Sequence, residues 1–135
     1  MNPLNDILQA RLAEGAVPAS EVMALGLYHP EHGYYRRAEG PWGFAGKDYY
    51  TALDLGPLLG QTLALRLEAA WEDLGRPAVF TAMEPGAGRG WLGRDVLSAA
   101  TGAFAEALVY VHCDDNPAAR RASVCPSSGP RSRAV

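Results

Sequence analysis

The chain has 135 residues, 48% of them apolar and 20% charged, which suits one soluble globular domain with one core. No apolar run approaches the roughly 20 residues of a membrane span, and Met1–Asp6 has neither the basic start and apolar block of a secretion signal nor an Arg-rich transit look. A cytoplasmic protein with no membrane partner is the default expectation. The net charge of -3 is uneven: residues 1–119 sum to -7, and residues 120–135 sum to +4 through Arg120, Arg121, Arg131 and Arg133. An acidic body argues against nucleic acid as the main partner. Cys113 and Cys125 are expected to be free thiols in such a compartment.

Asn2 is placed to cap a first helix with Pro3 at its first position, and Leu4, Ile7, Leu8 and Leu12 share one face. Gly15 suits the end of that helix. Ser20 is placed to cap a second helix, Glu21 to about Tyr28. His29–Gly33 reads as a turn leading into extended chain at Tyr34–Tyr35. Residues 36–47 are polar and Gly-rich, with Trp42 and Phe44 inside, and read as a loop. After Asp48–Thr51 a long helix begins near Pro57. Leu59, Leu63, Leu67, Ala70, Trp71 and Leu74 form its apolar stripe, a packing face with no chemistry assigned. Gly75 and Pro77 end it. Residues 79–84 read as a buried strand, residues 91–100 as a helix broken at Thr101–Gly102, and residues 107–113 as a second strand. Strand, helix and strand at this spacing make a βαβ unit with parallel strands. From Asn116 onward Pro, Ser, Arg and Ala dominate, without any period.

Between the first strand and its helix stands Glu84-Pro85-Gly86-Ala87-Gly88-Arg89-Gly90-Trp91. A triphosphate loop needs Lys and Ser or Thr after its last Gly, and Trp91 and Leu92 stand there instead. A dinucleotide turn needs its third Gly where this chain has Trp91. Glu84 would also repel a pyrophosphate. S-adenosylmethionine carries an ammonium, a sulfonium and a carboxylate. Glu84 suits the two cationic groups, and the turn's N–H groups with the helix N-terminus suit the carboxylate. Asp114 closes the second strand and can accept two ribose hydroxyls. Asp115 is its neighbouring candidate, and a plain solvated turn at 114–117 is the alternative.

Three blocks in this order, Leu27–Tyr35, Gly46–Thr51 and Glu84–Gly90, resemble the MidA family of class I S-adenosylmethionine-dependent methyltransferases. The likeness covers about residues 4–121. It implies an α/β fold: an N-terminal helical extension and loop over residues 1–77, then the first βαβ unit of a Rossmann-like methyltransferase domain over residues 78–122, with the sheet incomplete. It implies S-adenosyl-L-methionine as cofactor, with Glu84, Gly86, Ala87, Gly88 and Gly90 in the cofactor turn and Asp114 as the acid after the second strand. Gly46, Asp48 and Thr51 match a block near cofactor and substrate. Mitochondrial members of the family methylate an arginine of a complex I subunit, so the implied partner is a protein arginine side chain.

The family's members are longer, with a fuller sheet. The change of composition after about Ala122 reads as a shifted frame or a truncated product, leaving residues 123–135 as an irregular basic tail; a genuine tail is the alternative. Three rival readings stand beside the enzyme. One is a non-catalytic remnant that binds a partner through its N-terminal helices. Another is an oxidoreductase domain, which Trp91 and Glu84 disfavour. The last is a metal site drawn from His29, His32, His112 and Cys113, whose spacing matches no established ligand pattern. No catalytic residue and no oligomeric state follow from the sequence.

Overall fold

The computed structural model describes residues 2–36, 48–116 and 132–134, the last three as backbone only. The elements are α1 (Pro3–Glu14), α2 (Ala19–Tyr28), α3 (Leu58–Asp73), β1 (Phe80–Pro85), α4 (Trp91–Ala99), α5 (Gly102–Ala107), β2 (Leu108–Cys113) and β3 (Ser132–Ala134). Short 3-10 turns occupy Tyr34–Arg36 and Ala52–Leu55. None of the described helices is long and apolar enough to cross a membrane.

α1 starts as its sequence dictates: Asn2 Oδ1 accepts from the Leu4 N–H at 3.1 Å, with Pro3 at the first helical position. α2 begins two residues earlier than the Ser20 cap predicts. Pro18 is its N-cap, and the Pro18 carbonyl accepts from Glu21 and Val22. Tyr34–Arg36 tightens into a helical turn where extended chain was expected. His29 explains the turn before it: its Nδ1 accepts from the Glu31 and His32 N–H groups at 3.3 and 3.2 Å, and its ring stacks on His32. That gives both histidines structural work. Among the described residues no group of three His, Cys, Asp or Glu side chains is assembled that could hold a metal.

β1 and β2 are parallel, with Glu84 beside His112 and Ala82 beside Tyr110. β3 adds a third parallel strand beyond β2, pairing Tyr110 with Ser132 and His112 with Ala134. The sequence expects only irregular chain there, since a three-residue strand is too short to show a period. Cys113 is a free thiol; Cys125 and the 37–47 loop, with Trp42, Phe44, Gly46 and Lys47, lie outside the described residues.

One face of the sheet is packed. Val96, Phe104 and Leu108 are fully buried beside Ala64, Trp71, Ala107 and Tyr110, and Phe80 and Ala82 pack against them. Each large side chain buried there contributes roughly 1.5–3 kcal/mol. The contact face of α3 differs from its leucine stripe. Gly60, Ala64 and Trp71 are buried, with Leu63 and Leu67 partly so, while Leu59 and Leu74 stay exposed. Small residues win because α3 lies against α4 at close range: a Cβ on Gly60 would meet the Asp95 Cβ and come within 3.2 Å of the Val96 nitrogen. Trp71 then seals the end of α3, its indole N–H donating to the Pro77 carbonyl at 2.8 Å.

Candidate functional site

The turn after β1 owes its shape to three alternate glycines. Gly86, Gly88 and Gly90 have φ of +73°, +52° and +68°, a left-handed region that side-chain-bearing residues enter at a cost. With these dihedrals the chain reverses into α4 while staying tied to the end of β2. The Cys113 carbonyl accepts from the Gly86 N–H at 2.7 Å and the Ala87 N–H at 3.2 Å. Asp114 Oδ2 accepts from the Gly88 N–H at 2.8 Å, and Asp114 Oδ1 from the Asn116 N–H at 2.8 Å. Gly90 donates to the Ala87 carbonyl at 2.8 Å.

This changes one expectation. The turn's N–H groups suit a ligand carboxylate by sequence, yet those of Gly86, Ala87, Gly88 and Gly90 each have a protein acceptor. At the helix N-terminus the Gly93 N–H favours the charged form of Glu84. Glu84 is thus the anion that the first turn of α4 attracts.

Glu84 sits in a buried polar group that the sequence did not suggest. The Tyr110 hydroxyl lies beside it and favours its charged form. His112, only 2% exposed, places Nδ1 at 3.6 Å from Glu84 Oε2, and both atoms are buried without a hydrogen bond. Burial is the main cause that pushes the Glu84 carboxyl up, with the Asp114 charge adding to it; Tyr110 and the Gly93 N–H oppose it. Burial likewise pushes the Tyr110 hydroxyl up and the His112 imidazole down. Gly93 lets α4 come this close: a Cβ there would meet His112 Cε1 and lie 2.7 and 2.8 Å from the Tyr110 ring. The close helix–strand contact sought at position 91 is therefore made by Gly93.

A cavity of about 780 Å³ opens over the turn. Glu84, Gly86, Ala87, Gly88 and the 113–116 segment form its floor, and Tyr28, Tyr35, Tyr49 and Thr51 stand among its walls. Of the residues singled out in the sequence, Glu84, Gly86, Ala87, Gly88, Asp114 and Thr51 meet in this cavity. Gly90 and Asp48 do not line it. Gly90 shapes the turn from behind, and Asp48 accepts from the Tyr34 hydroxyl at 2.8 Å. The Tyr28 and Tyr35 rings stack at 5.8 Å, an aromatic wall that the sequence blocks contained without revealing its place.

The N-terminal segment is fastened to the turn at two points. Arg89 pairs with Asp54 at 2.7 Å, and the Asp54 carboxylate also accepts the Thr51 N–H at 2.8 Å and its hydroxyl at 3.0 Å. The Arg89 bond is the first cause that holds the Asp54 carboxyl below its ordinary range. Arg89 also lies over the Trp91 ring at 3.4 Å. At the other point Arg36 pairs with Asp115 at 2.9 Å, and Asn116 Nδ2 donates to the Tyr35 carbonyl at 2.6 Å.

An acid and a glycine turn at the end of β1, with a second acid at the end of β2, define the opening unit of a Rossmann-like methyltransferase fold. The comparisons with known proteins agree. No family model matches the chain. It is 34% identical over 90 residues to the protein arginine methyltransferase NDUFAF7 homolog, mitochondrial, of Drosophila melanogaster, covering 67% of this chain and 20% of the fly protein. It superposes on a COG1565 superfamily member from Burkholderia thailandensis, crystallised with S-adenosyl-homocysteine, at a TM-score of 0.83 and 31% identity. That match covers 98% of this chain and 36% of the other. A native COG1565 superfamily structure from the same bacterium gives 0.74 and 30%, over 98% and 34%. The chain is thus similar to these COG1565 superfamily proteins over nearly its whole length, in line with the resemblance of its sequence blocks. It spans about a fifth of the length of the fly relative and about a third of the two bacterial ones.

Proposed function

We propose that the chain binds S-adenosylmethionine in the cavity over the glycine turn and forms the cofactor-binding part of a methyltransferase acting on a protein arginine side chain. The observation that carries the reading is the Glu84 carboxylate side chain, which lines the cavity together with Asp114, one acid from the end of each of the two paired strands. A carboxylate fits an ammonium group, and burial strengthens that contact. Asp114 supports it from the other side: each of its oxygens accepts one backbone N–H, which leaves acceptor capacity on both for hydroxyl groups. Tyr28, Tyr35 and Tyr49 line the same space and give it an aromatic wall.

When bound, the cofactor supplies a methyl group on a sulfonium for in-line transfer. The chain's own residues bind and orient. Glu84 holds the cationic end, Asp114 the hydroxyls, and the tyrosines exclude water from the space between. The arginine acceptor rests on the fly relative's name and on the family blocks. Thr51 lines the same cavity, and Asp48, on the same segment, accepts from the Tyr34 hydroxyl. No residue is assigned as the base.

Calorimetry on the 135-residue chain with S-adenosylhomocysteine and with NAD tests the cofactor. Saturable binding of the first and none of the second is the expected result. The reverse would make the turn a dinucleotide site and end this reading.

A further inference from the structure

We propose that Arg36 is a positioning residue for the cofactor site, holding the Asp114 carboxylate in the orientation that receives ribose hydroxyls. The proposal rests on the S-adenosylmethionine reading above. It begins from a hydrogen-bonded chain that joins distant parts of the sequence. The Arg36 guanidinium donates through Nη2 to Asp115 Oδ2 at 2.9 Å and through Nη1 to the Asp115 carbonyl. One planar fork thus grips both the backbone and the side chain of a single residue, which fixes its conformation as a point charge would not.

The grip is sheltered on the arginine side. Its side chain is 22% exposed, against 62% for Asp115. The Tyr35 carbonyl takes the Asn116 side chain at 2.6 Å, so residues 35 and 36 together set the path of 115 and 116. Asn116 is 6% exposed, and its N–H reaches Asp114 Oδ1, while Gly88 reaches Oδ2. The plane of the Asp114 carboxylate is therefore defined by two amides. Gly88 belongs to the turn, and Asn116 is placed by the N-terminal segment. Both acids line the cavity, but they are held differently: Asp115 gives Oδ2 to Arg36, and both oxygens of Asp114 are set by backbone amides.

An exposed ion pair acting only as a brace would have a small effect, equal for every ligand. A positioning role predicts an effect confined to ligands that use the hydroxyl contact. The test is calorimetry on the 135-residue chain with S-adenosylhomocysteine and its 2′,3′-dideoxy analogue. Arg36→Ala is expected to weaken S-adenosylhomocysteine about tenfold and to leave the analogue within about twofold. Arg36→Lys keeps the charge and loses the fork, so it should fall between; it carries the same comparison should the alanine variant fail to fold. Equal losses for both ligands, or none for S-adenosylhomocysteine, would overturn the proposal. So would an unaltered chain that binds both ligands equally well. An unaltered chain that binds neither ligand would end the cofactor reading itself, and this inference with it.

Discussion

Glu84 is costly where it stands, and the cost has a sign that can be measured. Its carboxyl is raised by burial, so the folded chain holds that proton more tightly than the unfolded chain does. The stabilisation this gives is complete below the ordinary value of 4.5 and is lost as pH rises through the raised value. At neutral pH the buried carboxylate therefore works against folding. Glu84→Gln is expected to raise the melting temperature at pH 7 while abolishing saturable binding of S-adenosylhomocysteine, a stability–function exchange visible in one thermal scan and one titration. A variant that melts lower and still binds would refute both halves. His112 acts in the opposite sense. Its imidazole is lowered by burial, so the unfolded chain takes up the proton first. Its contribution is present above the ordinary value of 6.5 and is lost as pH falls through the lowered value. His112→Phe is expected to flatten the loss of stability as pH falls below 6.5 in melts followed by circular dichroism.

The α4–β2 contact shows which elements could be read from sequence and which could not. Gly93→Ala should gain up to about 1 kcal/mol of helix propensity. Against that, its Cβ meets the Tyr110 and His112 rings, both buried and neither a flexible tip, and overpacking of this kind costs about 1–3 kcal/mol. The clash is expected to win, and urea denaturation should show a lower midpoint at unchanged slope. The strands, α1, the long helix and the Glu84–Gly90 turn were legible because each carries a local pattern: a period, a cap, or glycines at fixed offsets. Gly93 was not, because a single glycine within a helix declares no partner. The Glu84, Tyr110 and His112 group was hidden for a related reason. Tyr110 and His112 look like ordinary strand residues until β1 is set beside β2, with Glu84 opposite His112. The ties from Arg36 to Asp115 and from Asp54 to Arg89 link parts of the chain that share no local pattern. The leucine stripe of α3 misled for the converse reason: a period marks an apolar face, but the close approach to α4 selected the smaller residues beside it.

At the scale of the whole molecule, the cavity is made jointly by the N-terminal segment and the βαβ unit. Tyr28, Tyr35 and Thr51 come from the first, Glu84, Gly88 and Asp114 from the second. A ligand that needs both walls binds only when the two parts are docked, so it should stabilise the docked arrangement by mass action. At a concentration of one hundred times Kd the gain is about 2.7 kcal/mol. For a chain of this size that corresponds to a rise in melting temperature of roughly 10 °C. The Asp54–Arg89 tie sets how much of that gain is reached. The Asp54 carboxyl is lowered, chiefly by its bond to Arg89, so the stability it lends is present above its ordinary value of 3.8 and lost as pH falls through the lowered value. At pH 7 the tie is intact. Asp54→Ala removes it without touching the floor of the cavity, and is expected to weaken S-adenosylhomocysteine and to shrink the thermal shift at fixed ligand. Scanning calorimetry of both proteins, with and without ligand, decides the matter. A full shift in Asp54→Ala would mean that the ligand is held by the βαβ unit alone and that the N-terminal wall contributes nothing to binding.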